Sequence, residues 1–185
     1  MARLGNDSTT YGWVSIGLHW LVAALTLGLF ALGLWMVGLG YYDPWYYRAP
    51  WWHQGLGVLL LGLVLLRLAW RQLSPPPGPL PGHRGWERGL ARAVHGGFHL
   101  LALALAASGY LVVTAAGQGL AVFDWFSVPA TLGGSERLAD RAGDWHRWLA
   151  WATVVLAALH AAAALKHQLV DRDATLRRML WPGAQ

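Results

Sequence analysis

The sequence predicts an all-α integral membrane protein, a bundle of four transmembrane helices forming a single domain over residues 1–185. Three observations carry this fold. Only 12% of the residues are charged while 56% are hydrophobic, about half the charge of an average soluble domain, so there is too little polar surface to face water. Four stretches reach the roughly 20 apolar residues needed to cross about 30 Å of hydrocarbon. The segments between them are rich in Gly and Pro. This composition excludes a disordered chain and a disulfide-stapled secreted domain. With no Cys, it also excludes thiolate catalysis, iron–sulfur ligation and cysteine-based zinc sites.

The first span covers residues 12–39 and holds no Asp, Glu, Lys or Arg. It is too long for a signal-peptide core and runs straight into an aromatic-rich turn, so it is read as a retained helix. The second covers 51–73 and is charge-free until Arg67. The third and fourth cover 93–116 and 145–170. Backbone polar groups must be satisfied internally in lipid, which makes each run helical. The connections are Tyr41–Pro50 with its Asp43-Pro44, a stiff polyproline-like stretch from Ser74 to Gly82, and a third loop expected to hold a short amphipathic turn.

Orientation follows from the loop charges. Arg67, Arg71, Arg84, Arg88 and Arg92 against Glu87 give the second connection a net +4. The portion from Lys166 onward carries +2, the first loop is neutral and the third carries −1. The positive-inside rule then puts both termini and the middle loop in the cytoplasm of an inner-membrane protein. Trp45, Trp51, Trp52, Trp125, Trp145, Trp148 and Trp151 fall toward the other face, as an interfacial belt does. The basic excess therefore reads as topology, and no nucleic-acid partner is expected.

Histidines are the chemistry-bearing residues. An ionisable group inside a membrane helix is a functional hypothesis by default. His19 lies toward the cytoplasmic part of the first span, and His53 opens the second at the outer side. His146 opens the fourth span, and His160 follows fourteen residues later, about 21 Å along the axis and on nearly the same face. Matching depths pairs His53 with His146 and His19 with His160. Two imidazoles opposed across a bundle core can supply both axial ligands of a haem iron. Two such pairs would carry electrons through the membrane, and an iron with both axial positions filled favours outer-sphere transfer. Interhelical hydrogen bonding and a zinc or copper site are the competing readings. Gly12, Gly17, Gly55, Gly57, Gly96, Gly97 and Gly109 serve either close helix packing or the edge of a flat macrocycle. His83 sits in the proline-rich connection and is read as solvated.

The segments Ile16–Trp20, Trp52–Gly55, Asp144–Arg147 and Leu159–His167 resemble the bacterial cytochrome b561 family, and the likeness spans nearly the whole chain. The resemblance implies two b-type haems enclosed by the helices, one held by His19 and His160 and the other by His53 and His146. It is nearest to members that oxidise superoxide and reduce ubiquinone. In those, two histidines that match His95 and His167 contribute to the quinone site. His99 and Lys166 have no counterpart in that pattern. Arg48 and Arg147 could attract the superoxide anion, or they could serve as interfacial or haem-propionate partners. The alternative function is a cytochrome b subunit anchoring a hydrogenase or dehydrogenase as redox partner protein. A haem-free helical protein with structural or metal-transport duties is the third class.

Overall fold

The computed structural model describes residues 3–183. Its long elements are α1 (Trp13–Met36), α2 (Arg48–Leu73), α3 (Gly85–Thr114) and α4 (Glu136–Lys166). A short hairpin, β1 (Leu120–Val122) and β2 (Phe126–Val128), separates α3 from α4. A π-helical turn at His167–Asp171 and a 3-10 turn at Arg177–Met179 follow α4. All four long helices have the length and apolarity to cross a membrane. Leu21 and Leu27 in α1, Leu65 and Leu66 in α2, Leu100 in α3 and Leu159 in α4 are exposed. A bundle in water would hide such a set; in hydrocarbon these side chains meet a solvent as apolar as themselves.

α2 begins at Arg48, three residues earlier than hydropathy indicates, and two helices begin two turns or more earlier, α3 at Gly85 and α4 at Glu136. Their added turns carry Glu87, Arg88 and Arg92, and Arg137, Asp140, Arg141 and Asp144, so a hydropathy criterion passes over them. Their helical character has local causes. Glu87 and Glu136 sit in first turns, where the helix dipole favours an anion. The Ser135 hydroxyl accepts the Leu138 N–H at 3.3 Å as an N-cap. In the third connection the expected amphipathic turn is instead the β-hairpin, with Leu120 opposite Val128 and Val122 opposite Phe126.

The chain forms two compact units, and each of the four long helices contributes to both. The first unit comprises Met1–Ala23, Leu63–His99 and Val155–Gln185. Here the segment before α1 is tied to the proline-rich connection. Asn6 donates from its backbone N–H to Ser74 Oγ and from its side chain to the Ser74 carbonyl, both at 2.8 Å. Its Oδ1 accepts the Gly12 N–H at 2.9 Å. Asp7 Oδ1 accepts the N–H groups of Thr9 and Thr10 at 2.7 Å each. These contacts hold its carboxyl well below the ordinary aspartate range, led by the Thr9 and Thr10 backbone bonds. Arg178 is buried, donates through both terminal nitrogens to the Gly78 carbonyl at 3.2 Å, and lies over the Tyr11 ring. One arginine thus joins the tail to two other segments.

The second unit comprises Ala24–Gly62 and Leu100–Val154. Aromatic rings dominate its loops. Tyr41 packs edge-on against Tyr42, Tyr46 and Tyr47, and Trp35 meets Trp45. Phe123 adopts a left-handed φ of 49° in the hairpin turn, which swings its ring onto Trp51 and Trp52 near the start of α2. The Tyr110 hydroxyl donates to the Pro129 carbonyl at 2.8 Å and accepts the Thr131 N–H at 3.1 Å, fastening the hairpin's exit to α3.

Candidate metal centres

Within the second unit, α2 carries His53 and α4 carries His146, with ring centres 6.1 Å apart and planes at 75°. Within the first, α1 carries His19 and α4 carries His160, with ring centres 6.3 Å apart and planes at 64°. Two metal–imidazole bonds of about 2 Å, plus about 1.1 Å from each bonded nitrogen to its ring centre, put opposed rings about 6.2 Å apart. Both pairs have the spacing of imidazoles facing each other across one metal. All four rings are half-buried.

Proton placement sharpens this for His146. Its Nδ1 lies 3.1 Å from the Leu105 carbonyl and 3.0 Å from Ser108 Oγ. A carbonyl only accepts, so Nδ1 carries the proton and Nε2 presents a lone pair. A histidine ligand needs this second-shell arrangement. The opposed His53 has a buried Nδ1 with no hydrogen-bond partner among the described residues. Gly33 and Gly109 make room for these rings. A Cβ at Gly33 would lie 3.2 Å from His53 Cε1, and one at Gly109 would lie 3.2 Å from His146 Cε1.

The first pair has a different proton state. Arg67 Nη2 is 3.2 Å from His19 Nδ1, and a guanidinium only donates, so this nitrogen accepts. Its proton sits on Nε2, the reverse of His146. Taking a metal at Nε2 requires that proton to leave and Arg67 to release Nδ1. The pair fits by spacing, with Arg67 as the one group that must move.

His95 and His167 are placed apart in contact terms. His95, on α3, stands 5.4 Å from the His160 ring, as does Phe98 at 5.6 Å. His167, in the π-helical turn, meets His83 and Asp173 instead. No interaction joins His95 to His167 among the described residues. His83 is not solvated as its loop position suggests. Its Nε2 lies 2.9 Å from Asp173 Oδ2, and its side chain is only 19% exposed. Burial opposes ionisation of Asp173, yet the bonds from the Thr175 side chain, His83 and the Thr175 N–H bring its carboxyl down to about 2. Lys166 is engaged as well, 2.6 Å from Asp171 Oδ2 and 3.6 Å from Glu87 Oε1.

Near the start of α2, a cleft of about 480 Å³ is lined by Trp45, Tyr47, Arg48, Trp51 and Trp52. Arg48 brings a cation to it. Arg147 is paired with Asp144 at 2.9 Å, which uses part of its charge locally. Sequence reasoning missed Ser108, Arg67 and Asp173 as partners of these histidines. A polar Ser108 beside Gly109 inside an apolar run was the one available signal; the others depend on contacts 48 and 90 residues away.

Residues 10–182 match the family model described as prokaryotic cytochrome b561. The chain is 50% identical over 175 residues to cytochrome b561 homolog 2 of Escherichia coli (strain K12), covering 95% of this chain and 93% of that protein. It is 30% identical over 173 residues to the probable superoxide oxidase CybB of Yersinia pestis, covering 92% and 95%. It is also 29% identical over 187 residues to cytochrome b562 of Cereibacter sphaeroides, covering 93% and 96%.

Proposed function

The chain belongs to the prokaryotic cytochrome b561 family, and from that premise we propose that it binds two haem b and oxidises superoxide to dioxygen while reducing ubiquinone. Haem b and membrane electron transfer are the family's common ground. The observation that carries the count of two is the pair of opposed imidazole sets at 6.1 and 6.3 Å. His53 and His146 hold one haem; His19 and His160 hold the other. Haem b, when bound, supplies a one-electron iron couple.

The net reaction balances as two superoxide ions, one ubiquinone and two protons giving two dioxygen molecules and one ubiquinol. Each protein group has a bounded task. Arg48, in the cleft beside Trp51 and Trp52, draws the superoxide anion toward the start of α2. The Leu105 carbonyl and Ser108 hydroxyl hold the His146 ring and keep its proton on Nδ1. His95 and His167 hydrogen-bond the quinone, and Asp173 orients the His167 ring from 3.0 Å. Likeness to the probable superoxide oxidase of Yersinia pestis supports the choice of donor.

In this reading the whole chain is one cytochrome domain of the bacterial inner membrane, with both termini and the arginine-rich connection in the cytoplasm. The test uses the purified holoprotein with a xanthine oxidase superoxide source. Reduction of its haem and of added ubiquinone should appear and should vanish when superoxide dismutase is added. Reduction that persists with dismutase, or is absent without it, removes superoxide as the donor. Stoichiometric recovery with a large dehydrogenase or hydrogenase would assign the chain to the membrane-anchor class instead.

A further inference from the structure

His83, His167 and Asp173 converge from the proline-rich connection, the π-helical turn and the tail, all within the first unit. The ligand atoms of all three lie within 4.8 Å of one another. Asp173 Oδ2 faces His83 Nε2 at 2.9 Å and His167 Nδ1 at 3.0 Å. Its other oxygen is already taken by the Thr175 N–H at 2.7 Å, which fixes the carboxylate's orientation. Asp171 Oδ2 lies 2.8 Å from the same His167 Nδ1. Two carboxylate oxygens therefore converge on one imidazole nitrogen that has a single proton to offer.

We infer that His83 Nε2, His167 Nδ1 and Asp173 Oδ2 form a binding site for a divalent cation of the zinc class, with Asp171 a fourth donor once Lys166, 2.6 Å from the same Oδ2, gives up that oxygen. The two imidazoles and carboxylates select borderline metals such as Zn²⁺ or Cu²⁺ over Mg²⁺ and Ca²⁺, which prefer all-oxygen shells. The edge of a tetrahedron with zinc bonds near 2 Å is about 3.3 Å, so the two Asp173–imidazole edges, now 2.9 and 3.0 Å, need to open by a few tenths of an ångström, while the two imidazole nitrogens, within 4.8 Å of each other, close on the metal. Each imidazole ligates once the proton on its facing nitrogen leaves, and those nitrogens are the ones aimed at Asp173. The competing description is a hydrogen-bonded clasp that only pins the tail to the connection.

A regulatory consequence rests on the reading of His167 as a quinone contact: a metal on Nδ1 replaces the Asp173 hydrogen bond that orients that ring and places a dication beside it, so Zn²⁺ occupancy changes the rate of quinone reduction. The experiment titrates Zn²⁺ alone into the haem-loaded protein in detergent by calorimetry, with X-ray absorption at the zinc edge to count nitrogen and oxygen neighbours. One Zn²⁺ per chain with two imidazoles is expected. His83→Ala and Asp173→Asn should each weaken binding at least as much as loss of an outer-shell metal contact, about 10–100-fold, with haem spectra unchanged. Absence of Zn²⁺ binding in the unmodified chain, or binding in either variant as tight as in the unmodified chain, overturns the site and leaves the clasp. Zn²⁺ binding that is lost in the variants but leaves quinone reduction untouched upholds the metal site and refutes the quinone role of His167.

Discussion

Replacing Gly109 by Ala sets two effects against each other. Alanine in a helix interior is favoured over glycine by up to about 1 kcal/mol, so α3 alone should gain. The new methyl, however, would sit 3.2 Å from His146 Cε1 and 3.4 Å from its Nδ1, closer than carbon comfortably approaches. The ring must give by a few tenths of an ångström. It is held from the same side by Leu105 and Ser108 at 3.1 and 3.0 Å, so it cannot move without stretching those bonds. Metal–ligand distances tolerate only about 0.2 Å. Weakening at this site should match the loss of a second-shell partner, about 10–100-fold in haem affinity. Gly89→Ala is the matched control, since a Cβ there meets nothing within 4 Å. Haem-to-protein ratios after graded haem extraction provide the assay. The control should keep the parental ratio while Gly109→Ala loses one haem first. Equal retention by the two variants would refute the claim that Gly109 is kept small for His146.

Further outcomes follow from individual contacts. Gly33→Ala should likewise destabilise the haem at His53 in the extraction series, and less severely, because its second contact lies at 3.7 Å rather than 3.4 Å. His160→Ala should leave about one haem per chain by pyridine haemochrome, since its removal empties only the set shared with His19. Ser108→Ala should retain both haems and shift one midpoint potential in a redox titration, because the Leu105 carbonyl still orients His146. Asp7 is held ionised by the Thr9 and Thr10 N–H groups. Its stabilisation of the turn before α1 is therefore complete above the ordinary aspartate value of 3.8 and fades as pH falls below it, readable as amide exchange at Thr9 and Thr10.

What the sequence revealed was what lipid dictates. Long charge-free runs such as residues 12–39 have one structural solution in hydrocarbon, so all four helices were legible, and so was the depth matching of His19 with His160 and His53 with His146. The extra turns of α3 and α4 were hidden because Glu87 to Arg92 and Glu136 to Asp144 are polar, and nothing in hydropathy separates an extended helix from a charged loop. The hairpin escaped because strands of three residues are too short to show alternation. His83 looked like a solvated loop residue because its partner Asp173 is 90 positions away. Such a contact is set by how the tail folds back, anchored through Arg178 on Gly78, and no local pattern encodes it.

Paired imidazoles holding two haems would fix the cofactor stoichiometry of the holoprotein. Its most direct measurement is the haem b to polypeptide ratio of protein purified after expression with ample haem supply. Two per chain is expected, falling to one in His53→Ala and in His160→Ala and to none in the double variant. A ratio of one or less in the unmodified chain, or a ratio unmoved by either substitution, would contradict it.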